Sequence, residues 1–389
     1  MFDMSRLFSY KKDEINITYR IFGIKFSRKN MELTNSSIKI QDGYDLTALR
    51  NAKELIVCFI PNIKMMTGGI QSIYSICKYS RELCPQAECL IATIPGKYTY
   101  SHNPYFKNEE KIYRFEQIVQ NANNVEKLIL HIPEYFAGKF YKALKKDEIK
   151  FLKGIKDLHI NILNQNIQLM PEPRELKSLY KLTNNVTQTI GHHRYATQEV
   201  CDKWQMPAHF LSVHIDISGY KTYPFEEKEK IIVLSPDEAP YKKAVVEKLK
   251  KELPDFKLIT VQNMTFDEYM DLISRAYFTI TFGEGFDGYF NQPQTVGGLG
   301  MAVYDSAFFP DESWLELKNV YKSPADMENN IVNDIKELSA NKELYYSPIN
   351  EIKGKLSLFY KENLFQTNLE NFYKGEYTLL APRRKNING

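Results

Sequence analysis

Three glycines and two acids stand close together in the segment FGEGFDG, residues 282–288. Gly283, Gly285 and Gly288 have the spacing G-x-G-x-x-G, which is the pattern of a dinucleotide-binding loop. That pattern needs a long helix directly after the glycines, but here Pro293 follows within a few residues. The loop also follows the third strand of its predicted domain, not the first. We therefore do not predict NAD binding.

The same loop can bind a different ligand through its backbone and its acids. Glycines leave backbone N–H groups uncovered at the carboxyl end of a strand, where a ligand can approach closely. Glu284 can accept hydrogen bonds from hydroxyls, and Asp287 adds a second carboxylate. A short helix predicted to begin near Asn291 would direct its positive end at an anion. The combination suits a polyol attached to a phosphate, and a plain tight turn remains the alternative.

Hydrophobic patterning predicts the elements that position this loop: a parallel α/β fold in two halves. In the first half we predict strands at 54–61, 88–95, 127–133, 157–163 and 185–190, with helices at 68–83 and 110–121. In the second half we predict strands at 231–236, 256–261, 276–282 and 300–305, with helices at 241–253 and 265–276. Ligands of such sheets bind at the carboxyl ends of the strands, so two facing sheets would enclose a cleft.

The chain therefore divides into five predicted parts. They are an N-terminal extension (1–52) on or near the first domain, a first Rossmann-like domain (53–215), a linker (216–228), a second Rossmann-like domain (229–345), and C-terminal helices with a basic tail (346–389) that cross back to the first domain. Within the extension, residues 17–29 mix aromatic and basic side chains. They form either a packed strand pair or a patch that rests on anionic lipid, and both interpretations stay open.

Composition excludes several classes of protein. A net charge of +3 over 389 residues gives no case for nucleic-acid binding. Five cysteines without C-x-x-C spacing argue against a disulfide framework or a zinc site and indicate a reducing compartment. No apolar run approaches the roughly 18 residues of a membrane span, and the N-terminus has no signal-peptide pattern. We expect a cytoplasmic protein.

Polar residues also end the predicted strands of the first half. His131 is expected to face the cleft, although a buried imidazole is the alternative. His192, His193 and Arg194 follow the strand at 185–190 and could bind an acceptor phosphate as cations, unless they form only a solvated turn. Asn164 and Gln165 could donate hydrogen bonds to acceptor sugar hydroxyls.

The order of these motifs over residues 54–370 resembles that of the GT-B glycosyltransferases, in the layout of the family 4 enzymes that make bacterial cell-surface polysaccharides. GGIQSIYSI, residues 68–76, resembles the glycine-rich opening of the first long helix in that family. EGFDGYFNQP, residues 284–293, resembles its E-x7-E element. Residues 186–216 resemble the stretch that ends its N-terminal domain.

This resemblance implies roles for particular residues. Glu284 matches the first acid of the E-x7-E element, which contacts the donor sugar, whereas Gln292 stands where the ribose-binding second acid is expected. His131 lies where the family has a polar residue near the sugar, so the implied catalytic residues are Glu284 and His131. Ser235 stands where the family has a phosphate-binding Arg. The implied donor-binding residues are Gly68, Gly69, Ser235, Lys242, Asn263, Gly285, Phe286, Asp287, Gly288 and Gln292.

The resemblance also implies a reaction. A nucleotide-diphosphate sugar would give its hexosyl or deoxyhexosyl group, with retention of configuration, to a glycan or lipid-linked glycan of the bacterial surface. A peripheral contact with the cytoplasmic membrane face would fit that acceptor. No D-x-D motif is present, so we expect no obligatory metal or other cofactor. The alternatives are an epimerase or phosphorylase of the same shape, or a non-catalytic sugar-binding protein.

Overall fold

The computed structural model describes residues 31–358 and 360–381, together with the backbone of three strands before them. These strands form an antiparallel sheet in the order β1 (Phe8–Lys12), β2 (Asn16–Ile21) and β3 (Ile24–Lys29). The predicted strand pair is therefore present. The side chains of the predicted lipid-binding patch, residues 17–29, lie outside the described part. Two helices follow, α1 (Glu32–Asp42) and α2 (Thr47–Asn51).

The first domain is built on a parallel seven-stranded sheet in the order β10-β9-β8-β7-β4-β5-β6. The strands are β4 (Glu54–Ile60), β5 (Ala87–Thr93), β6 (Ile112–Arg114), β7 (Lys127–Pro133), β8 (Asp157–Asn164), β9 (Val186–Ile190) and β10 (Ala208–Phe210). The helices are α3 (Gly68–Leu83), α4 (Phe115–Asn121), α5 (Glu134–Ala143), α6 (Lys146–Gly154), α7 (Pro173–Leu176) and α8 (Gln198–Trp204). The central strands are buried on both faces, which explains their continuous apolar runs.

One predicted boundary in this domain is wrong. The predicted helix at 110–121 begins only at Phe115, because residues 112–114 pair with β5 as an edge strand. Ile112 is fully buried, and its carbonyl accepts a hydrogen bond from the Gln41 side chain of α1. Pairing with distant parts of the chain has overridden a local helical pattern.

The second domain is built on a parallel five-stranded sheet in the order β12-β11-β13-β14-β15. The strands are β11 (Glu229–Leu234), β12 (Lys257–Thr260), β13 (Ala276–Ile280), β14 (Leu299–Val303) and β15 (Val320–Tyr321). The helices are α9 (Lys242–Glu252), α10 (Phe266–Arg275), α11 (Gly288–Thr295), α12 (Pro324–Ala340) and α13 (Lys342–Leu356). Two parallel sheets with flanking helices confirm the predicted α/β architecture. Residues 211–224, which connect the domains, form neither helix nor strand.

The last helix, α14 (Glu362–Lys374), packs against the first domain. Phe365 and Leu369 are fully buried in the same apolar cluster as residues of α3. The hydroxyl of Tyr79 on α3 donates a hydrogen bond to Glu362. The chain thus leaves the second domain and returns to cover one face of the first sheet. Among the residues described, no helix has the length and apolar character needed to cross a membrane.

Candidate active site in the interdomain cleft

Loops at the carboxyl ends of the two sheets face each other and contact across a cleft. The backbone N–H of Phe266 donates to the carbonyl of Tyr105 at 2.6 Å. Asn166 in the first domain donates from Nδ2 to Glu284 Oε1 in the second at 2.7 Å. Because parallel strands end at the same edge of a sheet, side chains that are distant in sequence meet here.

The glycine loop is fixed to its own sheet at two points. Gly285 has a φ of +80°, and a Cβ at this position would lie 2.5 Å from the carbonyl oxygen of Val303. The backbone N–H of Phe282 donates to the buried Ser235 Oγ at 2.9 Å. Glycine is therefore required at 285 for both conformation and space. Ser235 holds the loop by accepting this backbone hydrogen bond. The sequence predicts instead that its hydroxyl contacts the donor.

Asp287 is not free to bind a ligand, contrary to prediction. Helix α11 begins at Gly288, earlier than the expected Asn291, and Asp287 is its N-cap. The carboxylate accepts from the N–H of Phe290 at 3.1 Å and from the hydroxyl of Thr281 at 2.5 Å. Burial raises the pKa of Asp287 to about 7. The positive end of α11 is thus occupied by the chain's own acid, where we expected a ligand anion.

Phe286 also differs from its predicted role. Its ring is buried among Phe290, Phe309 and Trp314, with ring centroids between 5.1 and 6.2 Å away. The side chain anchors the loop in the apolar core of the second domain and does not point at a donor. An aromatic residue in a glycine loop can be expected to contact the ligand. Here the ring packs instead on side chains from later segments of the chain.

Glu284 remains in the cleft, as predicted. Its side chain keeps contact with solvent, and partial burial, followed by the negative charges of Asp237 and Asp305, raises its pKa. One carboxylate oxygen accepts the hydrogen bond from Asn166. Asp237 and Asp305 end β11 and β14, on either side of β13, and were not predicted as neighbours of Glu284. Carboxylates in this position can accept hydrogen bonds from the hydroxyls of a sugar.

The facing side of the cleft is a turn after β8. Gln165 donates from Nε2 to the carbonyl of Gly69 at 3.2 Å, so the turn contacts the start of α3. Gly68 and Gly69 form the first turn of that helix, and Thr67 is its N-cap. Asn164 lies deeper, is buried, and donates to the Gln188 side chain at 3.1 Å.

Glu134 lies behind the turn that faces the cleft, and the sequence did not predict it. It is the first residue of α5, directly after β7, and its carboxylate accepts the backbone N–H of Asn166 at 3.2 Å. Burial raises the pKa of Glu134 to about 7. The signal in the sequence is an acid directly after a buried strand. Acids are also common in the first turn of a helix, because they interact favourably with the helix dipole, so this signal alone does not indicate a site.

The segment after β9 contacts the second domain, so its predicted role in binding an acceptor anion is not supported. Arg194 donates from Nη1 to the carbonyl of Phe309 at 3.0 Å. His193 Nδ1 lies 3.2 Å from the hydroxyl of Tyr360. Burial lowers the pKa of His192 to about 4 and also lowers the pKa of His193. The lowered pKa values favour the neutral form of both imidazoles. The predicted phosphate binding required the cationic form.

His131 does not face the cleft, and its predicted catalytic role is wrong. The imidazole is fully buried beneath α14, where Nε2 lies 3.0 Å from the hydroxyl of Tyr373. On its other side, Nδ1 lies 3.0 Å from Nδ2 of Asn161. Burial lowers the pKa of His131 to about 3. In a parallel sheet covered on both faces, the residue near a strand's end can point into either layer.

Three further donor candidates lie at the second domain's edge of the cleft. Lys242 donates from Nζ to the carbonyls of Ser235 and Asp237 at 3.0 and 2.7 Å, and so braces the loop between β11 and α9. Asn263 is exposed between β12 and α10 with a φ of +52°. Gln292 is half-buried, one turn after Gly288 on α11.

Comparison with known proteins gives a result at the level of fold. No protein-family model matches the chain, and no curated protein matches its sequence. Sucrose-phosphate synthase from Thermosynechococcus elongatus superimposes with a TM-score of 0.55 at 9% identity, over 83% of this chain and 99% of that one. HepE from Anabaena, in complex with UDP and glucose, superimposes with a TM-score of 0.53 at 9% identity, over 84% and 99% of the chains. The fold is GT-B.

A third similar structure has a different second ligand. An alpha-glucosyltransferase, in complex with UDP and a 13-mer DNA containing an HMU base, superimposes with a TM-score of 0.51 at 11% identity. The alignment covers 82% of this chain and 100% of that one. For this chain, the absence of nucleic-acid binding stays a prediction. The three alignments cover 82% to 84% of this chain and 99% to 100% of the matched chains.

Proposed function

We propose that the protein is a glycosyltransferase that moves a sugar from a nucleotide-diphosphate sugar to a glycan acceptor. The observation that carries the proposal is the position of Glu284, at the end of β13 in a GT-B cleft. It faces Asn166 of the other domain across that cleft. A carboxylate there can accept hydroxyl hydrogen bonds from a donor sugar held between the domains. Two of the three similar structures, HepE and the alpha-glucosyltransferase, are complexes with UDP, which makes UDP the first nucleotide to test.

The donor would bind mainly through backbone groups of the two facing loops. Gly68 and Gly69, at the start of α3, present N–H groups at the positive end of a 16-residue helix. Lys242 lies beneath the opposite loop and adds a positive charge next to Asp237. Asn263 and Gln292 would contact the base and the ribose, as the family resemblance implies. Such a site needs few charged side chains.

The reaction we propose retains the configuration at the sugar. The acceptor hydroxyl attacks the anomeric carbon on the face from which the diphosphate departs, and a departing phosphate oxygen takes its proton. Glu284 orients the sugar and stabilises the positive charge that develops on it. Hexosyl and deoxyhexosyl donors are both compatible with this arrangement.

The neutralisation of the leaving diphosphate by helix and lysine groups predicts that no added metal is needed. Transfer should therefore proceed in excess EDTA at a rate within about twofold of the untreated enzyme. Initial rates with and without EDTA, and after addition of Mn²⁺, measure this. Loss of transfer in EDTA that Mn²⁺ restores would show that the diphosphate is held by a metal.

The acceptor we propose is a bacterial surface glycan, either free or linked to lipid at the cytoplasmic membrane face. The support is the resemblance to family 4 enzymes, together with a cleft lined by amide and carboxylate groups that suit sugars. A panel of oligosaccharides, lipid-linked saccharides and a DNA duplex distinguishes the acceptor classes. Transfer to DNA alone would overturn this part of the proposal.

A melting-temperature screen tests the proposed function directly. A ligand at 100 times its Kd stabilises the folded state by about 2.7 kcal/mol, which raises the melting temperature by several degrees. We expect UDP, or one of GDP, dTDP and CMP, to produce such a shift, and the matching sugar nucleotide to be consumed. No shift with any of them would favour a protein that does not use nucleotide sugars.

A further inference from the structure

The carboxylate of Glu134 organises a turn and does not reach the cleft itself. Only 4% of Glu134 is exposed. The carboxylate accepts the backbone N–H of Asn166 at 3.2 Å. The backbone N–H of the preceding residue, Gln165, donates to the carbonyl of Leu163 at 3.1 Å. The Glu134 side chain therefore binds the turn through the Asn166 amide. This arrangement fixes the turn after β8 to the start of α5.

The turn that Glu134 holds contacts both walls of the proposed donor site. Gln165 donates to the carbonyl of Gly69 at the start of α3. In Asn166 the side-chain oxygen accepts from the N–H of Gln168 at 2.9 Å, so the Nδ2 group is left to point outward. That Nδ2 group donates to Glu284. One carboxylate oxygen of Glu284 is thereby held in place, and the other can accept a hydrogen bond from a sugar hydroxyl.

We propose that Glu134 is a positioning residue for the transfer reaction, acting through the Gln165–Asn166 turn to orient Glu284. This inference rests on the proposed function, because it assumes that Glu284 contacts the donor sugar. No step of the reaction passes through Glu134 itself. Its contribution is to keep the Asn166 amide at a constant place while the domains move around the ligand.

The choice of an acid at this position supports the inference. Burial raises the pKa of Glu134 to about 7, so its ionised form is held in an unfavourable environment. A residue that only filled space between β7 and the turn would not need a charge. An ionised carboxylate accepts a stronger hydrogen bond from the backbone N–H of Asn166 than a neutral amide oxygen would.

The test compares Glu134→Gln with a matched control, Glu148→Gln. Glu148 is also a buried acid in the first domain: 2% of it is exposed, it accepts the backbone N–H of Lys145, and burial raises its pKa. It belongs to α6, which packs on α4. Hydrogen exchange of the Asn166 amide, whose N–H donates to Glu134, should accelerate at least about tenfold in Glu134→Gln only. Unchanged exchange would overturn the proposal, whatever the protein catalyses.

Steady-state kinetics test the functional half of the proposal. Glu134→Gln should lower kcat about tenfold or more while the Kd for UDP changes by less than about threefold. Asn166→Ala, a change at a partly exposed side chain that leaves the core intact, should give the same loss. The double variant should be no worse than either single one, because both act on one contact. Additive losses, or a normal kcat in Asn166→Ala, would show that Glu134 does not act through the turn.

The two proposals fail in different ways. If the parent protein neither binds a nucleotide nor transfers a sugar, the proposed function is wrong, and amide exchange still reports whether Glu134 holds the turn. If the parent protein transfers a sugar and Glu134→Gln matches Glu148→Gln in kcat, only the positioning role is wrong.

Discussion

At the end of β13, the carboxylate of Glu284 lies near two other acids and accepts a hydrogen bond from the facing domain. Asp237 and Asp305 raise its pKa through their charges. A cluster of like charges is unfavourable in an empty cleft, and sugar hydroxyls would relieve it by donating hydrogen bonds. The repulsion between Glu284 and its two acidic neighbours therefore lowers the stability of the fold but favours the binding of a ligand that donates hydrogen bonds.

Replacement of Glu284 by Ala should lower kcat by about 10² to 10³, since one preformed charge that stabilises the transition state is removed. The fold should persist, because the side chain is solvent-accessible and its removal leaves Asp287 and Ser235 holding the loop. Transfer assays and a melting curve measure both effects. Glu247→Ala, at an exposed position on α9, serves as the control. Near-normal turnover in Glu284→Ala would place Glu284 outside the site.

Gly285 tests the structural role of the loop separately from its chemistry. Gly285→Ala would force a Cβ to 2.5 Å from the carbonyl of Val303 at a φ of +80°. We expect a loss of about 2 kcal/mol or more in the free energy of unfolding, because strain and overlap add. Gly354→Ala, on α13 with nothing within 4 Å of the new Cβ, should be neutral or stabilising. Equal stability of the two variants in urea would contradict this account.

At the scale of elements, α14 completes the first domain by covering a layer of buried histidines. The rings of His131, His159 and His209 all lie within 6.2 Å of the ring of Phe372. His209 also donates from Nε2 to the carbonyl of Asn368 at 2.7 Å. Burial lowers the pKa of all three, to about 3 for His131 and about 4 for His159.

This layer predicts a loss of stability in acid. A histidine whose folded pKa is lowered stabilises the fold above its unfolded pKa of about 6.5, and that stability disappears as the pH falls toward the folded value. His131 and His159 should each cost about 1.4 kcal/mol per pH unit between 6.5 and their folded pKa values of about 3 and about 4. The raised pKa values of Glu134 and Asp287 act in the opposite direction between pH 7 and about 4.5, so a comparison between variants is needed.

The comparison uses His159→Phe, which keeps an aromatic ring on Phe372 and cannot be protonated. Thr187 retains a partner, because its hydroxyl donates to Asn161 at 3.0 Å. Between pH 6.5 and 5, unfolding free energies from urea titrations should fall about 1.4 kcal/mol per pH unit more steeply in the parent than in the variant. Parallel slopes would mean that His159 titrates normally in the folded protein.

At the scale of the whole molecule, direct hydrogen bonds join the domains at more than one place. Tyr195 donates to the carbonyl of Ala307, next to the bond from Arg194 to Phe309. These contacts lie beside the pairing of Asn166 with Glu284. Hydrogen bonds between two domains can break and re-form as a cleft opens and closes around a ligand.

Removal of one interdomain hydrogen bond should therefore favour open forms of the cleft without unfolding either domain. Arg194→Ala should raise the KM for the donor about fivefold, because a hydrogen bond worth roughly 1 kcal/mol is lost. Hydrogen exchange in residues 305–311 should accelerate, while the melting temperature changes little. Arg174→Ala, at an exposed position on α7, should leave both unchanged. A normal KM together with unchanged exchange would show that the Arg194 bond does not contribute to closure.

Sequence alone determined the alternation of strands and helices in two halves and the place of Glu284 in a loop after a strand. These depend on local periodicity and on loop residues, which the chain carries in order, whereas the GT-B layout was implied by the resemblance of its motifs to a family. The helix predicted at 265–276 is present as α10 for the same reason of local periodicity, and its capping box has Thr265 accepting from the N–H of Glu268 and Glu268 accepting from the N–H of Thr265. Short pairings such as β6 and β10 were missed, because three residues are too few to show a period.

Only the tertiary structure decided which polar side chains face the cleft. His131 lies beneath α14, and the segment that covers it is more than 200 residues away in sequence. The sequence predicts ligand-binding roles for Asp287 and Ser235. In the folded chain Asp287 accepts from the N–H of Phe290 and the hydroxyl of Thr281, and Ser235 accepts from the N–H of Phe282. Glu134 reaches the site through a turn that β8 brings beside it. A polar residue at a strand's end is recognisable from sequence, whereas its direction depends on the layers that distant segments build around it.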